Sequence, residues 1–417
     1  MKIAIVASLF PPYAIGGAEH LAAQLAGALD RLGHQVDVIS TCGRSQLGGQ
    51  PYQGEIREGI RVWRVAPRNL YWSYDKQRDL PGRLARACWH AIDLWNPSVI
   101  LPLRRVLDQI QPDVVNTHNI DGFSPAVWQV ARKYTPAVAH TLHDLHLLCP
   151  RATMQRRDGT MCESLCRFCA VYTGYHRRFQ KHVGMLIAPA LATAELHRQA
   201  GWTEPRIEII RNGVDVRPVP QPERAPSDPL RVLFLSRLER EKGCETLLAS
   251  IPAFAESSEI EFHVAGIGTL EKQFTELAAR VPNVTWHGFV QGRRKEELFS
   301  QCDVFLQLSE CRENAPLSLS EAKAHGLYLV GTAVGGIPEL IENSEAGQLI
   351  PPGDRQKLLA SLERVCRSRG AIRRGRAARA RRSAGYGTRQ MAEAYVEAYR
   401  SLIAPPAAIT NAATSHG

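Results

Sequence analysis

No window of the 417 residues approaches the ~18 uninterrupted apolar residues that a membrane-spanning helix needs, which excludes a helical span. Aromatic residues make up only 7% of the chain, and none interrupts its most basic stretch, so stacking on single-stranded nucleic acid finds no platform there. The glycines of "IGGAEH" are not set as G-x-G-x-x-G, and no acid is placed to hold a ribose, which argues against a nicotinamide dehydrogenase. The opening "MKIAIVASLFPPY" carries one lysine and a short apolar run without a small-residue cleavage site. It reads as a first β-strand ending at Pro11-Pro12, not as a signal peptide. Ten cysteines without a secretion signal point to a reducing, cytoplasmic setting.

What is present suits an α/β enzyme. The length exceeds one ordinary core, so two domains of about 200 residues are expected. Apolar runs such as "KIAIVA", "QVDVIS", "IRVWRVA" and "AVAHTL" alternate with helical spacing, and the series restarts at "RVLFLS", "IEFHVA", "VFLQL" and "LYLVGT". That pattern predicts two doubly wound, Rossmann-like domains with parallel sheets covered on both faces. "RNGVDVRPVPQPERAPSDPL", residues 211–230, is proline-rich and aperiodic, and so separates a first domain (1–210) from a second (231–385). Residues 43–111, with Trp63, Trp72, Trp89 and Trp95, read as a helical elaboration of the first domain, and residues 404–417 as a frayed tail. The net charge is +10, and nine arginines fall between Arg364 and Arg382. A solvated helix face, contact with anionic lipid and contact with nucleic acid suit that run in descending order.

Open parallel sheets bind ligands beyond the carboxyl ends of their strands, so residues just after strands matter most. Arg237 follows "RVLFLS", and Lys242 stands five residues on, ahead of a glycine and a new helix. Two cations at such a crossover suit a diphosphate, although plain surface basicity fits as well. The glycines of "AGIG", with Gly266 first, suit close approach to a phosphate or base. "RENAPLSLSEAKAHG" places Glu313 in a loop and Glu321 on the helix that follows, with Asn314 a suitable cap and Pro316 in the first turn. The free amides at that helix start, around Ala315, Pro316 and Leu317, suit an anion. His118 and His143 each follow a first-domain strand. Cys149, Cys162, Cys166 and Cys169 form C-x12-C-x3-C-x2-C, a spacing that fits structural zinc, an iron–sulfur cluster or reduced thiols.

"SRLEREKG", "RENAPLSLSEAKAHGLYLVGTAVGGIPELI" and the "RNGVD" linker resemble the retaining glycosyltransferases of family 4, which have the two-domain GT-B fold. Glu313 and Glu321 match the family's E-x7-E pattern, "PPYAIGGAEHLAAQLAGAL" resembles its opening glycine loop, and residues 386–403 resemble its last helix, which crosses back to the first domain. The resemblance implies that Arg237 and Lys242 bind the donor diphosphate, Glu313 the transferred sugar and Glu321 the nucleotide ribose. It implies that Gly16 and Gly17 bring amides to the phosphate or acceptor, and that His143 lines the catalytic cleft. His118 is a candidate acceptor contact, and Asn314 stands where many relatives have glycine. The implied activity is transfer from a nucleotide-diphosphate sugar to a glycan or lipid-linked acceptor, with retention and no catalytic cofactor or metal. A nucleotide-sugar epimerase and a non-catalytic sugar-nucleotide-binding module remain the alternatives. Arg177, Arg178, Lys181 and His182 suit a peripheral contact with an anionic membrane face, and no nucleic-acid partner is expected.

Overall fold

The computed structural model describes residues 1–403 except 14–15, 76–81, 157, 217–218, 220–223, 226, 342–344 and 384–385. The expected tail, 404–417, and part of the proline-rich linker lie outside the described residues.

The first sheet contains β1 (Lys2–Ala7), β2 (Gln35–Thr41), β3 (Tyr52–Arg57), β4 (Ile60–Val65), β5 (Val114–Thr117), β6 (Val138–Thr141), β7 (Met185–Ala188) and β8 (Arg206–Ile209). Their order is β3-β4-β2-β1-β5-β6-β7-β8. The second sheet contains β9 (Leu230–Leu235), β10 (Ile260–Ala265), β11 (Val284–Trp286), β12 (Val304–Gln307), β13 (Tyr328–Thr332) and β14 (Gly347–Ile350), ordered β11-β10-β9-β12-β13-β14. The pairings are parallel except β3 on β4. Helices cover both faces, so Ile3, Ala4, Ile5 and Val6 are all fully buried although they alternate in direction.

The antiparallel pair corrects the helical expectation for residues 43–111. Glu58 and Gly59, at φ of 48° and 84°, make a tight turn between β3 and β4 before the helices Arg83–Leu94 and Ile100–Ile110 begin. Positive φ at both central positions matches the right-handed twist of the paired strands.

Strand order reverses between β1 and β5 in the first sheet, and between β9 and β12 in the second. These switch points open the crevices in which doubly wound sheets hold ligands. The last helix, Thr388–Ile403, packs against the first sheet. Met391, Tyr395, Val396 and Tyr399 share a core with Ile3, Ile5 and Leu25, and the Asn116 amide donates to the Tyr399 hydroxyl at 2.7 Å.

The arginine run forms the end of the helix Arg355–Arg367 and most of Arg369–Ser383. Arg373, Arg376 and Arg379 recur at helical spacing and turn inward. Arg376 donates to the carbonyls of Phe299, Cys302 and His325 at 2.7, 2.6 and 3.2 Å, and Arg379 to those of Gly326 and Ile372 at 2.9 and 2.7 Å. Part of the run is therefore an internal brace, not the fully solvated face expected. No helix among the described residues is long and apolar enough to cross a membrane.

Candidate active site

Lys242 and Glu313 meet at the mouth of the second switch point. Lys242 precedes the helix Cys244–Ser250, and Gly243 lets the chain turn there with φ of 79°, where any Cβ would lie 2.0 Å from the Leu308 carbonyl. Glu313 comes from the loop after β12. The Lys242 ammonium donates to Glu313 Oε1 at 2.5 Å, and the Ser309 hydroxyl donates to the same oxygen at 2.7 Å. Burial alone would raise the Glu313 carboxyl, but Lys242 and the two hydrogen bonds outweigh it and hold Glu313 below its usual range. Burial likewise opposes the Lys242 charge, yet Glu313 leaves Lys242 above its usual value. Both groups are thus charged at neutral pH. Arg237, more exposed, donates to Glu241 at 3.2 Å and adds its positive field at Glu313.

The backbone under Glu313 is held by the Gly335-Gly336 turn. The Gly336 amide donates to the Glu313 carbonyl at 2.8 Å. A Cβ on Gly335 would fall 2.0 Å from that carbonyl, and one on Gly336 would fall 1.8 Å from the Asn314 carbonyl. Only glycine permits this approach.

The helix Leu317–Ala324 begins two residues later than an Asn314 cap would place it. Pro316 is its N-cap and no side chain caps it. The Asn314 amide crosses the cleft instead, donating to the Leu142 carbonyl at 3.2 Å, next to His143. Ala315 offers its carbonyl to the Asn212 side chain at 3.2 Å. Gly17 abuts the same helix start, its Cβ position 3.7 Å from Leu317 Cβ. The Gly16 amide is taken by Glu19 at 2.6 Å. The two halves also meet where Glu339 accepts from the Leu191 and Ala192 amides, each at 2.8 Å. A carboxylate from one half thereby caps the helix Leu191–Gln199 of the other.

Glu321 has a partner that sequence reasoning missed. Lys295, on the helix Gly292–Gln301, donates to Glu321 Oε1 at 2.6 Å, yet burial dominates and raises the carboxyl above its usual range. Lys295 sits in the polar stretch "GRRKEELF", where nothing in the pattern separates it from its neighbours. Gly266 does not stand free: with φ of 136°, its Cβ position is 1.8 Å from the Ser236 carbonyl, at the exit of β9.

Across the cleft, His118 Nδ1 and His143 Nε2 are 2.6 Å apart, with the rings stacked at 4.9 Å. Burial pushes His143 down to about 4 and His118 well below its ordinary value, so both imidazoles are neutral at pH 7. His118 is only 1% exposed and presents little surface to a ligand. Beside His143 the cleft is lined by Asn119, Asp121, His140, Asp144 and His146. The His146 ring faces Asp121 at 3.5 Å and Tyr172 at 2.9 Å, and the Tyr74 hydroxyl donates to Asp121 at 3.2 Å. Burial pushes Asp144 up to about 6. Asp121 and His146 lie in "NIDG" and "LHDLHLL", immediately beside the two histidines noted from sequence.

The four cysteines do not assemble as a metal centre: among the described residues no three His, Cys, Asp or Glu side chains are grouped to hold a metal ion. Cys166 instead caps the helix Arg167–Arg177, accepting from the Cys169 amide at 3.4 Å.

Two family models match the chain in succession. Residues 15–217 match "Glycosyltransferase Family 4", and residues 216–384 match "Glycosyl transferases group 1". The chain belongs to the family 4 glycosyltransferases. The glycogen synthase of Mycobacterium tuberculosis is 26% identical over 408 residues, spanning 96% of this chain and 94% of that protein. Among solved structures, a sucrose-phosphate synthase from Thermosynechococcus elongatus superposes with a TM-score of 0.73 at 19% identity, covering 96% of this chain and 99% of the other. Anabaena HepE in complex with UDP superposes at 0.67 and 17% identity, covering 96% and 100%. The architecture of this glycosyltransferase is accordingly GT-B.

Proposed function

We propose that this glycosyltransferase moves a sugar, with retained anomeric configuration and without a catalytic metal, from a nucleotide-diphosphate donor to a glycan or lipid-linked acceptor in polysaccharide synthesis. The observation that carries the reading is the half-buried Lys242–Glu313 pair, at 2.5 Å, facing the His143 side of the cleft through the Asn314–Leu142 bond. Lys242 and Arg237 supply positive charge to the departing diphosphate, and the uncapped start of the helix Leu317–Ala324 adds amide dipoles. Glu313 takes hydroxyls of the transferred sugar through Oε2, since Lys242 and Ser309 both bond Oε1. Glu321 takes the nucleotide ribose, with Lys295 fixing its rotamer.

His143 is neutral and already bonded to His118, so it orients sugar or acceptor, and the leaving diphosphate oxygen receives the acceptor proton on the same face. Asp121, Asp144 and His146 grip acceptor hydroxyls. The related chain named glycogen synthase and the UDP-bound neighbour support a sugar nucleotide and a glycan. The test is melting temperature with UDP, GDP, ADP and CMP in turn. A ligand at 100 times its Kd adds about 2.7 kcal/mol, a shift of several degrees. One nucleotide is expected to act, UDP first. Proton NMR of the first-formed product then reads the anomer. An inverted product, or no shift with any nucleotide, overturns the reading.

A membrane contact at the first domain rests on Phe168 and Val171, 69% and 75% exposed on the helix that ends beside the exposed Arg177, Arg178 and Lys181. An apolar pair flanked by cations suits an anionic bilayer surface. Sedimentation with phosphatidylglycerol vesicles at low salt is expected to carry the protein down. Equal recovery with neutral vesicles removes this contact.

A further inference from the structure

The mechanism uses none of the cysteines, yet Cys149, Cys162 and Cys169 pack against one core, and Cys166 stands one helical turn from Cys169. Cys166 is exposed and holds the N-cap of an eleven-residue helix, where its sulfur accepts the Cys169 amide at 3.4 Å. Cys169, one turn along the same helix, is half-buried and packs against the same core as the buried Cys149. The amides at the helix start lower the Cys166 thiol, while burial and the neighbouring sulfurs raise Cys169. An exposed thiol favoured as thiolate, one helical turn from a protonated partner, has the asymmetry that thiol–disulfide exchange requires.

Cys149 and Cys162, just ahead of that helix, also frame a hairpin that touches the donor half. Between Cys149 and Cys162 the chain folds back through a Gln155–Met161 bridge. The Gln155 amide donates to the Glu310 carbonyl at 3.3 Å, and Arg312 donates to the Cys162 carbonyl at 3.0 Å. Glu310 and Arg312 lie in the loop that carries Glu313. Cys166 stands four residues past Cys162, so a bond from Cys166 to Cys169 forms just beyond the end of the hairpin that Arg312 holds beside Glu313.

We propose that Cys166 and Cys169 are a reversible oxidation site, closing to a disulfide by exchange with a low-molecular-weight disulfide and thereby altering donor affinity through the hairpin. Cys166 thiolate attacks the small disulfide, forming a mixed disulfide and releasing one thiolate. Cys169 then gives its proton to that released thiolate and attacks the Cys166 sulfur, expelling the second thiolate, which takes from solvent the proton that Cys166 had lost. Two protein thiols are oxidised and one small disulfide is reduced to two thiols. In a reducing compartment the pair rests as thiols and closes only when the disulfide fraction rises.

The proposal that donor affinity responds rests on the function assigned above; formation of the bond does not. The full-length protein, freed of reductant, is incubated with glutathione disulfide and digested with trypsin, which cuts after Arg167 between the two cysteines. The expected result is a peptide pair joined through Cys166 and Cys169, separated again by dithiothreitol and absent in Cys166→Ser and Cys169→Ser. UDP affinity is expected to change about five-fold between the two forms, the lower end of ordinary coupling between sites, and not in Cys166→Ser.

Stoichiometric zinc or iron in the purified protein, a Cys149–Cys169 bond in place of the expected one, or a glutathione adduct on Cys166 without linkage overturns the site. Linkage with unchanged UDP affinity overturns the coupling. If the reduced protein binds no UDP, the assigned UDP donor fails instead, while the peptide linkage still reports on the thiols.

Discussion

Glu313→Gln is expected to lower kcat by about 10³-fold, with a smaller loss of melting temperature than Glu313→Ala and with UDP affinity close to that of the unchanged protein. The carboxylate is half-buried, ionised and fixed by Lys242 and Ser309 before any ligand arrives. A preorganised charge of this kind acts on charge that develops only in the transition state, and removing one such group typically costs 10²- to 10³-fold in kcat. Glutamine keeps an oxygen for Lys242 and Ser309, so the loop retains its hydrogen bonds and loses only the charge.

Glu313→Ala tests something different. A residue that only touched the sugar would, on this change, lose turnover with the fold intact. The pairing changes that expectation: with both side chains at most 17% exposed, alanine strands the Lys242 ammonium, at a cost of about 3 kcal/mol. Because Glu313 is held below its usual range, the pair's contribution is present at neutral pH and lost as pH falls through the lowered value. Initial rates with the donor named by the nucleotide screen, read beside thermal melts, separate the two effects. Near-normal kcat in Glu313→Gln removes Glu313 from the reaction.

The strands were legible because a parallel sheet covered on both faces leaves its signal in consecutive residues: Ile3 to Val6 are apolar at each position. β3 was missed because "YQGEIR" lies at the sheet edge with exposed Gln53, Gly54 and Ile56, so no burial pattern marks it. On the donor side, the spacing of Arg237, Lys242, Glu313 and Glu321 beyond strand ends was enough to nominate them. Partners such as Lys295 were not legible, because a long-range ion pair depends on which helix faces lie opposite, and spacing along one helix carries no record of that. Asn314 shows the same limit. Sequence suggested a helix cap, whereas the amide spans the cleft to Leu142, a contact made only when both halves are folded.

Arg376→Leu is expected to destabilise the donor half by about 3–5 kcal/mol, lowering its melting temperature by roughly 10 °C, while Arg374→Leu stays within about 0.5 kcal/mol. The two residues stand two positions apart on the helix Arg369–Ser383 and carry the same charge. If the run worked as a surface field for lipid or nucleic acid, either change would remove one charge and the effects would match. The geometry separates them. Arg376 satisfies the carbonyls of Phe299, Cys302 and His325, at the ends of two helices, from one guanidinium, whereas Arg374 is exposed. Carbonyl groups at helix ends have no partner within their own helix, so leucine leaves three acceptors to seek water from a largely covered position. Arginine suits this place because its planar fork reaches several carbonyls in fixed directions, which the single ammonium of a lysine does not. Arg376→Lys is accordingly expected to recover only part of the loss. Thermal melts of the three variants decide the matter: equal, small shifts for Arg374→Leu and Arg376→Leu would return the run to the surface and make its charge, not its reach, the property that matters.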